Sequence, residues 1–540
     1  MIAPLFFLAL VFASVGSLLG AVAPWALAVL ALSAAGLAGA AHRTPLSWLS
    51  LPVLGYGLLI ALNTLLLSPA YTPAGLYNPA LLIVAFLAGG ALVPRAEKAA
   101  VSASLIFGAI LVAWGLLQTG LSGISRAHAF LETPATYAAA INLLLVPVLA
   151  LVFLGRRGAL PFVAVMLAAA MFAALSRGGL LALAAGLGVT AICARRAQLL
   201  QPRALALTFA VLAAGWVIAT VLRALPSLQT EPAPSVEVRA ESSLSRLELY
   251  AQSWAALRER PFTGTGYLTF RYTLEQRRAQ VPSYGKTSET WFVHNDYLQT
   301  LQELGPLGLL AFLGLTLFPP LLTYRRLPDL AVEQRPVVVA VAAALAAMSV
   351  HAMVDFPFYV PICLLLYGAL LGALDQRLRT TASELTLEWR NSPLLRVARA
   401  GVLTLVVLVL LRPVAAEAAA EWGLRKAAAG KGQVAAFWLG AAQRIEPGDW
   451  RYHWYAGRFW EAQAVETGNR EAAALAANAF AAGFDANPLE VRNLLGKISV
   501  HRRHRQLLRD PADPSALQQW LAQAKALAPL NPEVRRELAR

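Results

Sequence analysis

The chain has 540 residues, of which 58% are hydrophobic and only 14% are charged, and its mean hydropathy is +0.57. That much apolar surface cannot be buried in one water-soluble core, which excludes an ordinary soluble protein. The formal net charge of +15 does not indicate a nucleic-acid partner, because much of the positive charge lies in short loops between apolar segments. We therefore expect an all-α, polytopic membrane protein.

Apolar segments of about 17 to 22 residues recur, and each could cross a hydrocarbon core about 30 Å thick as a helix. The pattern predicts about thirteen transmembrane helices. They lie near 3–20, 21–40, 47–67, 79–93, 101–120, 137–154, 159–175, 178–194, 204–222, 297–323, 336–352, 357–374 and 400–416. The first lacks the basic flank of a secretory signal, so we expect it to be a spanning helix rather than a cleaved peptide.

Basic residues mark every second connection between these segments. They lie at Arg43, at Arg95 and Lys98, at Arg156 and Arg157, from Arg195 to Arg203, at Arg325 and Arg326, and from Arg377 to Arg399. The positive-inside rule places this series on the cytoplasmic side of the membrane. The other series, a long loop at about 223–293 and the tail are then on the outer side. Since that face lacks ATP and sugar nucleotides, we expect a donor that is already in the membrane.

The tail differs in composition from the membrane domain, so the sequence predicts two domains, 1–416 and 417–540. Three similar breaks recur in the tail, about 41 and 44 residues apart, and resemble those between tetratricopeptide-type hairpins, which repeat at about 34 residues. The breaks are Arg444-Ile-Glu-Pro447, Asp485-Ala-Asn-Pro488 and Leu530-Asn-Pro532. A helical cap on the membrane domain and a repeat that binds a protein partner are equally open alternatives.

The strongest local signal is His294, at the end of the predicted loop. On a helix, His294, Leu298, Leu301 and Gly305 would share one face, and the imidazole would stand at the outer mouth of a span. An imidazole can accept a proton near neutral pH, as an attacking hydroxyl requires. The alternative is an interfacial histidine that only hydrogen-bonds a neighbouring helix.

His294 and Asn295 are followed by nine residues, Gly305, two residues and Gly308. This pattern resembles a signature at the end of the large periplasmic loop in the O-antigen ligase and polymerase superfamily, which includes the pilin O-oligosaccharyltransferases. The resemblance covers roughly residues 80–375. It implies a metal-independent glycosyltransferase without a cofactor, which moves a glycan from undecaprenyl diphosphate onto a hydroxyl acceptor. His294 would be the base or hold the acceptor, with Asn295 in support.

Arg177 interrupts two apolar segments with almost no loop between them, in Leu175-Ser-Arg-Gly-Gly179. A charge at such a position is costly and needs a partner or a function. A guanidinium binds diphosphate oxygens bidentately and stays protonated, so Arg177 is a candidate for binding the donor diphosphate. The Ser-Arg-Gly turn also resembles one in the same superfamily. The alternative is a side chain that reaches to the membrane interface.

Arg246 begins a predicted amphipathic helix at the membrane surface, which stops at Pro261. Its apolar stripe consists of Leu244, Leu247, Ala251, Trp254 and Leu257. The superfamily similarly has an arginine and an aromatic residue before a proline and a Gly-x-Gly turn, here Gly264 to Gly266. Arg246 is thus a second diphosphate candidate, with Tyr250 in support, and a solvated face is the alternative. We expect Arg258, Arg260 and Arg271 to be surface charges.

Two further sites complete the candidates. Arg126, followed by Thr133, Pro134 and Asn142, resembles a segment before the sixth span of the superfamily and is a candidate for binding donor or acceptor. His351 and Asp355 are four residues apart, so one helical face could pair them or direct both into one cavity. A structural role is the alternative for this pair.

The outer loops contain no Asp-x-Asp motif, and the chain has no zinc-type His/Cys spacing, no Walker loop and no nucleophilic serine elbow. We therefore expect no metal and no cofactor. The acceptor stays open: lipid A core for a ligase, a lipid-linked glycan for a polymerase, or a protein hydroxyl for a pilin O-oligosaccharyltransferase. A lipid or polysaccharide transporter is a remoter alternative. The expected partners are membrane lipid, the lipid-linked glycan and the acceptor, with no nucleic acid.

Overall fold

The computed structural model describes residues 2–19, 22–39, 44–122, 124–131, 133–225, 236–280, 291–379, 385–387 and 393–540. Helices account for nearly all regular structure in these ranges, and the predicted all-α polytopic fold is confirmed. Two three-residue strands, Thr44–Leu46 and Leu385–Leu387, pair antiparallel, with Pro45 opposite Thr386.

The membrane domain contains thirteen helices, α1 to α13, within the described ranges. They are α1 (Ile2–Leu19), α2 (Val22–Gly39), α3 (Ser50–Leu62), α4 (Ala74–Gly120), α5 (Pro134–Phe153), α6 (Leu160–Ala173), α7 (Arg177–Arg196), α8 (Pro202–Ala224), α9 (Val236–Glu259), α10 (Phe270–Arg277), α11 (Asp296–Arg326), α12 (Arg335–His351) and α13 (Pro361–Leu378). A π-helical turn, Asn63–Leu67, extends α3, and 3-10 turns lie at Arg278–Gln280, Leu327–Asp329 and Pro357–Tyr359.

Eight helical segments in the described residues are long and apolar enough to cross a membrane. They are Ser50–Leu67, Ala74–Val93, Ala96–Gly120, Pro134–Phe153, Arg177–Arg196, Pro202–Ala224, Asp296–Asp329 and Pro361–Leu378. Four other predicted spans correspond to shorter apolar stretches, Pro4–Val15, Pro24–Ala34, Leu160–Ala173 and Arg335–His351. The last predicted span, 400–416, falls in a helix whose side chains lie outside the described residues up to 407.

Glycines allow α4 and α13 to pack backbone against backbone. A Cβ added at Gly372 would lie 1.9 Å from the carbonyl oxygen of Phe86, and one at Gly89 would lie 2.1 Å from that of Ala369. Small residues of this kind let helices approach closely in a membrane, where lipid offers little hydrophobic drive for association. α5 is the most enclosed span, and its Tyr137 hydroxyl donates to the Leu111 carbonyl oxygen of α4 at 3.0 Å.

Several of the predicted cytoplasmic loops meet at one end of the bundle. The guanidinium of Arg196, at the end of α7, lies 5.5 Å from the ring centre of Tyr324, near the end of α11. Arg377 of α13 pairs with Glu97 in the middle of α4. α7 begins at the opposite end, with Arg177, so the bundle has one end rich in these basic loops and another that holds the start of α7.

A long helix, α14 (Pro393–Ala428), leads into the C-terminal region. It is followed by α15 (Gly432–Ile445), α16 (Trp450–Thr467), α17 (Arg470–Ala486), α18 (Val491–Arg503), α19 (Pro514–Leu527) and α20 (Pro532–Ala539). The predicted domain boundary at 416/417 therefore falls inside a continuous helix. The three sequence breaks separate α15 from α16, α17 from α18, and α19 from α20, and the tail helices pack mainly against their neighbours in the chain.

Candidate functional site

His294 lies immediately before α11 rather than on it, so the predicted helical face through His294 and Gly305 is wrong. Asn295 is the N-cap of α11, and its side chain accepts a hydrogen bond from the Leu298 N–H at 3.0 Å. His294 has a φ of +59°, a left-handed conformation that is uncommon for a residue with a Cβ. Such strained residues persist only where the surroundings fix them, and they concentrate at functional sites.

The His294 imidazole is oriented by a buried carboxylate. Its Nδ1 lies 3.1 Å from Asp355 Oδ1, and the ring packs edge-on against Phe356, with 5.0 Å between the ring centres. Since an ionised carboxylate only accepts hydrogen bonds, Nδ1 carries the proton and Nε2 is left as the basic nitrogen. The side chain is 27% exposed, so part of the imidazole is open to a substrate.

Asp355 lies in the turn between α12 and α13 and is almost fully buried. Burial alone would raise the pKa of Asp355, but the contacts with His294 and His351 hold that pKa well below its usual range. The Phe356 N–H also donates to Oδ1 at 3.1 Å. The carboxylate is therefore ionised at neutral pH and can stabilise a protonated His294.

His351 is the last residue of α12, so it does not share a helical face with Asp355 as predicted, although the structure does bring the two together. Its Nε2 is 3.8 Å from Asp355 Oδ2, and its side chain is buried. Gly178, at the start of α7, lies against the same ring, since a Cβ added there would be 3.2 Å from His351 Nε2. The absence of a side chain at Gly178 thus lets α7 begin beside the His351–Asp355 pair.

The first turn of α7 exposes Arg177 next to this pair. Ser176 is the N-cap, and its hydroxyl accepts from the Gly179 N–H at 3.1 Å. Asn142 of α5 donates to the Gly179 carbonyl oxygen at 2.8 Å, which fixes the turn. The amino end of a helix carries partial positive charge and favours anions, so the turn and the Arg177 side chain reinforce each other.

Arg126 is held close to the same turn. Its Nε donates to the Ala174 carbonyl oxygen at 3.4 Å, and the Ala127 N–H donates to Ala173 at 3.0 Å. Arg223, near the end of α8, donates to the Phe172 carbonyl oxygen in the same stretch. Sequence analysis did not single out Arg223, which lies near the end of α8, whereas Arg126 lies in the connection between α4 and α5. Three arginines thus surround the connection between α6 and α7.

α9 contacts the backbone of His294. The Tyr250 hydroxyl donates to the His294 carbonyl oxygen at 3.1 Å, which helps to hold the left-handed backbone. Burial raises the pKa of Tyr250, while the positive charge of Arg246, one helical turn earlier, and a contact with Asn295 act against that rise. Arg246 is half-buried. Tyr250 and Asn295 therefore support the backbone around His294, and Arg246 adds a nearby charge.

The Gly-x-Gly segment forms a turn, and its backbone hydrogen bonds attach the loop to α11. The Thr265 and Gly266 N–H groups donate to the carbonyl oxygens of Gln302 and Glu303 at 2.8 and 3.0 Å. Gly264 and Gly305 both have positive φ, and a Cβ at Gly305 would lie 2.2 Å from the Phe262 carbonyl oxygen. The two backbones can approach only because these positions are glycine.

Glu303 is a buried acid that sequence analysis did not select. It accepts from the Tyr359 hydroxyl at 2.8 Å, from the Phe270 N–H at 3.2 Å and from the Gln299 amide at 3.1 Å. These partners come from the turn before α13, the loop and α11. No sequence signal marks Glu303, because its role depends on three segments that are distant in the chain.

One known protein family matches part of the chain. Residues 162–313 match the Wzy_C family model, described as O-antigen ligase. This part of the chain is similar to the O-antigen ligase superfamily. The match includes Arg177, Arg246 and His294, and it confirms the resemblance inferred from the sequence. No curated protein matches the chain.

The region that matches the family model and the turn after α12 together present one imidazole, one buried carboxylate and several guanidinium groups. In the described residues, no three His, Cys, Asp or Glu side chains are grouped as a metal ion would require. The arrangement can accept a proton at His294 and can bind an anionic group near Arg177.

Proposed function

We propose that the protein is a metal-independent glycosyltransferase that moves a glycan from undecaprenyl diphosphate to a hydroxyl acceptor. The observation that supports this most directly is the contact of His294 with Asp355, beside a superfamily match that includes the histidine. A buried carboxylate, an oriented imidazole and a substrate hydroxyl form the arrangement needed for general-base catalysis.

In the proposed reaction, the acceptor hydroxyl donates its proton to His294 Nε2 as its oxygen attacks the anomeric carbon of the donor glycan. The bond between that carbon and the diphosphate oxygen breaks, and its electron pair leaves with undecaprenyl diphosphate. Asp355 stabilises the imidazolium that forms, because its low pKa keeps it ionised. General-base catalysis of this kind typically contributes about 10²- to 10⁴-fold in rate.

Arg177 is proposed to bind the diphosphate, with Arg126 and Arg246 in support. The exposed Arg177 side chain and the amino end of α7 lie together, and Gly178 brings that turn against His351 beside Asp355. Diphosphate charge grows as the glycosidic bond breaks, so positive groups placed there stabilise the transition state more than the ground state. The same chemistry explains why two apolar spans meet at an arginine.

We infer that this end of the bundle faces the periplasm of a bacterial inner membrane. The basic loops around Arg196 and Tyr324 lie at the other end, as the positive-inside rule requires for the cytoplasmic side. The active site would then face the side where lipid-linked glycans are displayed and sugar nucleotides are absent. The tail would be periplasmic too.

The acceptor is tested by giving purified protein an undecaprenyl-diphosphate oligosaccharide with each acceptor class in turn. These are lipid A core, a second lipid-linked glycan and a pilin-like protein with Ser or Thr acceptors. Transfer to one class identifies a ligase, a polymerase or a protein O-oligosaccharyltransferase. Absence of transfer to all three, together with movement of the lipid-linked glycan across a vesicle membrane, would replace the proposal with a transporter.

A further inference from the structure

Trp291 presents an aromatic ring to solvent close to His294. Its side chain is 50% exposed, whereas Val293 is buried and Phe292 stacks on Phe356 with 4.3 Å between ring centres. Three residues of chain span at most about 11 Å, so the Trp291 backbone lies within that distance of His294. An exposed tryptophan is a large apolar surface that is normally buried or used in recognition.

The orientation of Trp291 is fixed by Arg271. The Arg271 guanidinium carbon lies 4.2 Å from the Trp291 ring centre and 4.4 Å from that of Tyr272. A cation over one aromatic face is favourable, and because Trp291 is half exposed, a ligand can reach the part of the ring that Arg271 does not cover. Arg271 is therefore not the surface charge predicted from the sequence, since its side chain is only 20% exposed.

The C-terminal region holds Arg271 in turn. Arg271 donates to Glu490 Oε2 at 3.1 Å, and the buried Asn487 amide donates to the Tyr272 hydroxyl at 3.0 Å. Glu490 also caps α18 by accepting from the Arg492 N–H at 3.3 Å. By contrast, Asp449, the N-cap of α16, pairs with Arg451 of the same helix. The contact from Glu490 to the loop is thus an addition to the capping role.

We propose that the exposed part of the Trp291 ring is a subsite for a sugar ring of the donor glycan, kept in place by Arg271 and Glu490. This inference rests on the proposed function. The pyranose ring presents C–H groups on its flatter face, and these pack on an aromatic face as other apolar groups do. The donor is the ligand we assign, because it carries a glycan whether the acceptor is lipid, glycan or protein.

Glu490 and Arg271 are positioning residues in this account, since they act through Trp291. The tail thereby contributes to the transferase site itself, and its role does not require a separate protein partner. Loss of Glu490 should loosen Trp291 without removing the stacking surface, so its effect on glycan binding should be smaller than loss of the ring.

The test measures equilibrium binding of two lipids to the full-length protein in nanodiscs. One is the undecaprenyl-diphosphate glycan isolated from cells that lack the protein, and the other is undecaprenyl diphosphate without sugar. The variants are Trp291→Ala, Trp291→Phe and Glu490→Gln. The matched control is Trp422→Ala in α14, where the side chain is 46% exposed and Lys426 Nζ lies 4.3 Å from the ring centre.

The glycan-bearing lipid should bind wild type more tightly than the sugarless lipid. Trp291→Ala should weaken only the glycan-bearing lipid, by about tenfold, while Trp291→Phe should retain most of that affinity. Glu490→Gln should give a smaller loss, and Trp422→Ala should change neither lipid. An unchanged preference for the glycan in folded Trp291→Ala would overturn the subsite, even if transfer is normal. No preference and no transfer in wild type would instead refute the proposed function.

Discussion

Asp355 accepts a hydrogen bond from His294 Nδ1 at 3.1 Å, although the two residues are 61 positions apart in the chain. The geometry is maintained by bonds between their segments. The Asp296 N–H donates to the Ala352 carbonyl oxygen at 2.8 Å, and the Phe358 N–H donates to Asp296 Oδ2 at 2.9 Å. The start of α11 and the turn after α12 are therefore joined by hydrogen bonds next to the imidazole.

Asp355→Asn should reduce single-turnover transfer by about 10²-fold or more, because the amide removes both the imidazole orientation and the negative charge beside it. Donor binding should change little, since Asp355 is not proposed to contact the diphosphate. A suitable control is Asp375→Asn, which alters a buried carboxylate paired with Arg379 at 2.7 Å, at the end of α13 distant from Asp355. Equal transfer rates in the two folded variants would argue against the proposed role of Asp355.

Gly178→Ala should impair transfer, because the added methyl would lie 2.9 Å from Val354 Cγ2 and 3.2 Å from His351 Nε2. The start of α7 would have to move away from the His351–Asp355 pair, and the diphosphate site would move with it. Gly188→Ala, in the same helix, has no atom within 4 Å of the added methyl and should be neutral or slightly stabilising. Transfer rates and thermal stability of the two variants, measured side by side, check this difference.

Arg177→Ala should weaken donor binding as well as the transfer rate, since it removes a group proposed to contact the diphosphate before and during bond cleavage. Arg177→Lys should restore only part of both, because an ammonium lacks the planar fork of a guanidinium. The matched control is Arg196→Ala, which removes the same charge at the other end of α7. Normal donor affinity in Arg177→Ala would remove the arginine from the site.

The membrane orientation can be checked by labelling cysteines with an impermeant thiol reagent in spheroplasts. Thr263→Cys, in the exposed turn of the loop, should react, and Glu333→Cys, exposed between α11 and α12, should react only after permeabilisation. The native Cys193 and Cys363 are buried and should give little background. The reverse labelling pattern would place the site on the cytoplasmic side.

Much of the fold could be predicted from the sequence, because each membrane-spanning helix requires a long run of apolar residues. The segments that became α5, α7, α8 and α13 were apparent from apolar length alone. His294 and Arg177 were also apparent, since a polar residue between apolar segments is conspicuous. These signals are local and require no knowledge of neighbouring helices.

Other features could not be predicted because they depend on contacts between distant segments. Extending the helical pattern of α11 back to residue 294 does not predict the left-handed backbone of His294. That backbone is held by the cap at Asn295 and by the Tyr250 hydroxyl. The roles of Glu303 and Arg271 are equally non-local, since their partners lie in other helices and in the tail. The partner of Asp355 was predicted as His351, whereas the shorter contact is with His294.

Transfer should survive treatment with a chelator, because the proposed chemistry uses a histidine base and arginine charges. Purified wild-type protein is assayed with donor and acceptor before and after treatment with EDTA. The expected result is an unchanged rate. Loss of activity that Mg²⁺ or Mn²⁺ restores would show that a cation supports the diphosphate and that the arginines alone do not suffice.

The base role of His294 is tested most directly by measuring donor binding and single-turnover transfer in parallel on folded His294→Ala protein. If His294 accepts the proton of the acceptor hydroxyl, transfer should fall by about 10²-fold or more while the affinity for the lipid-linked glycan stays close to that of wild type. Transfer at nearly the wild-type rate would contradict the account and leave His294 as a structural residue at the start of α11.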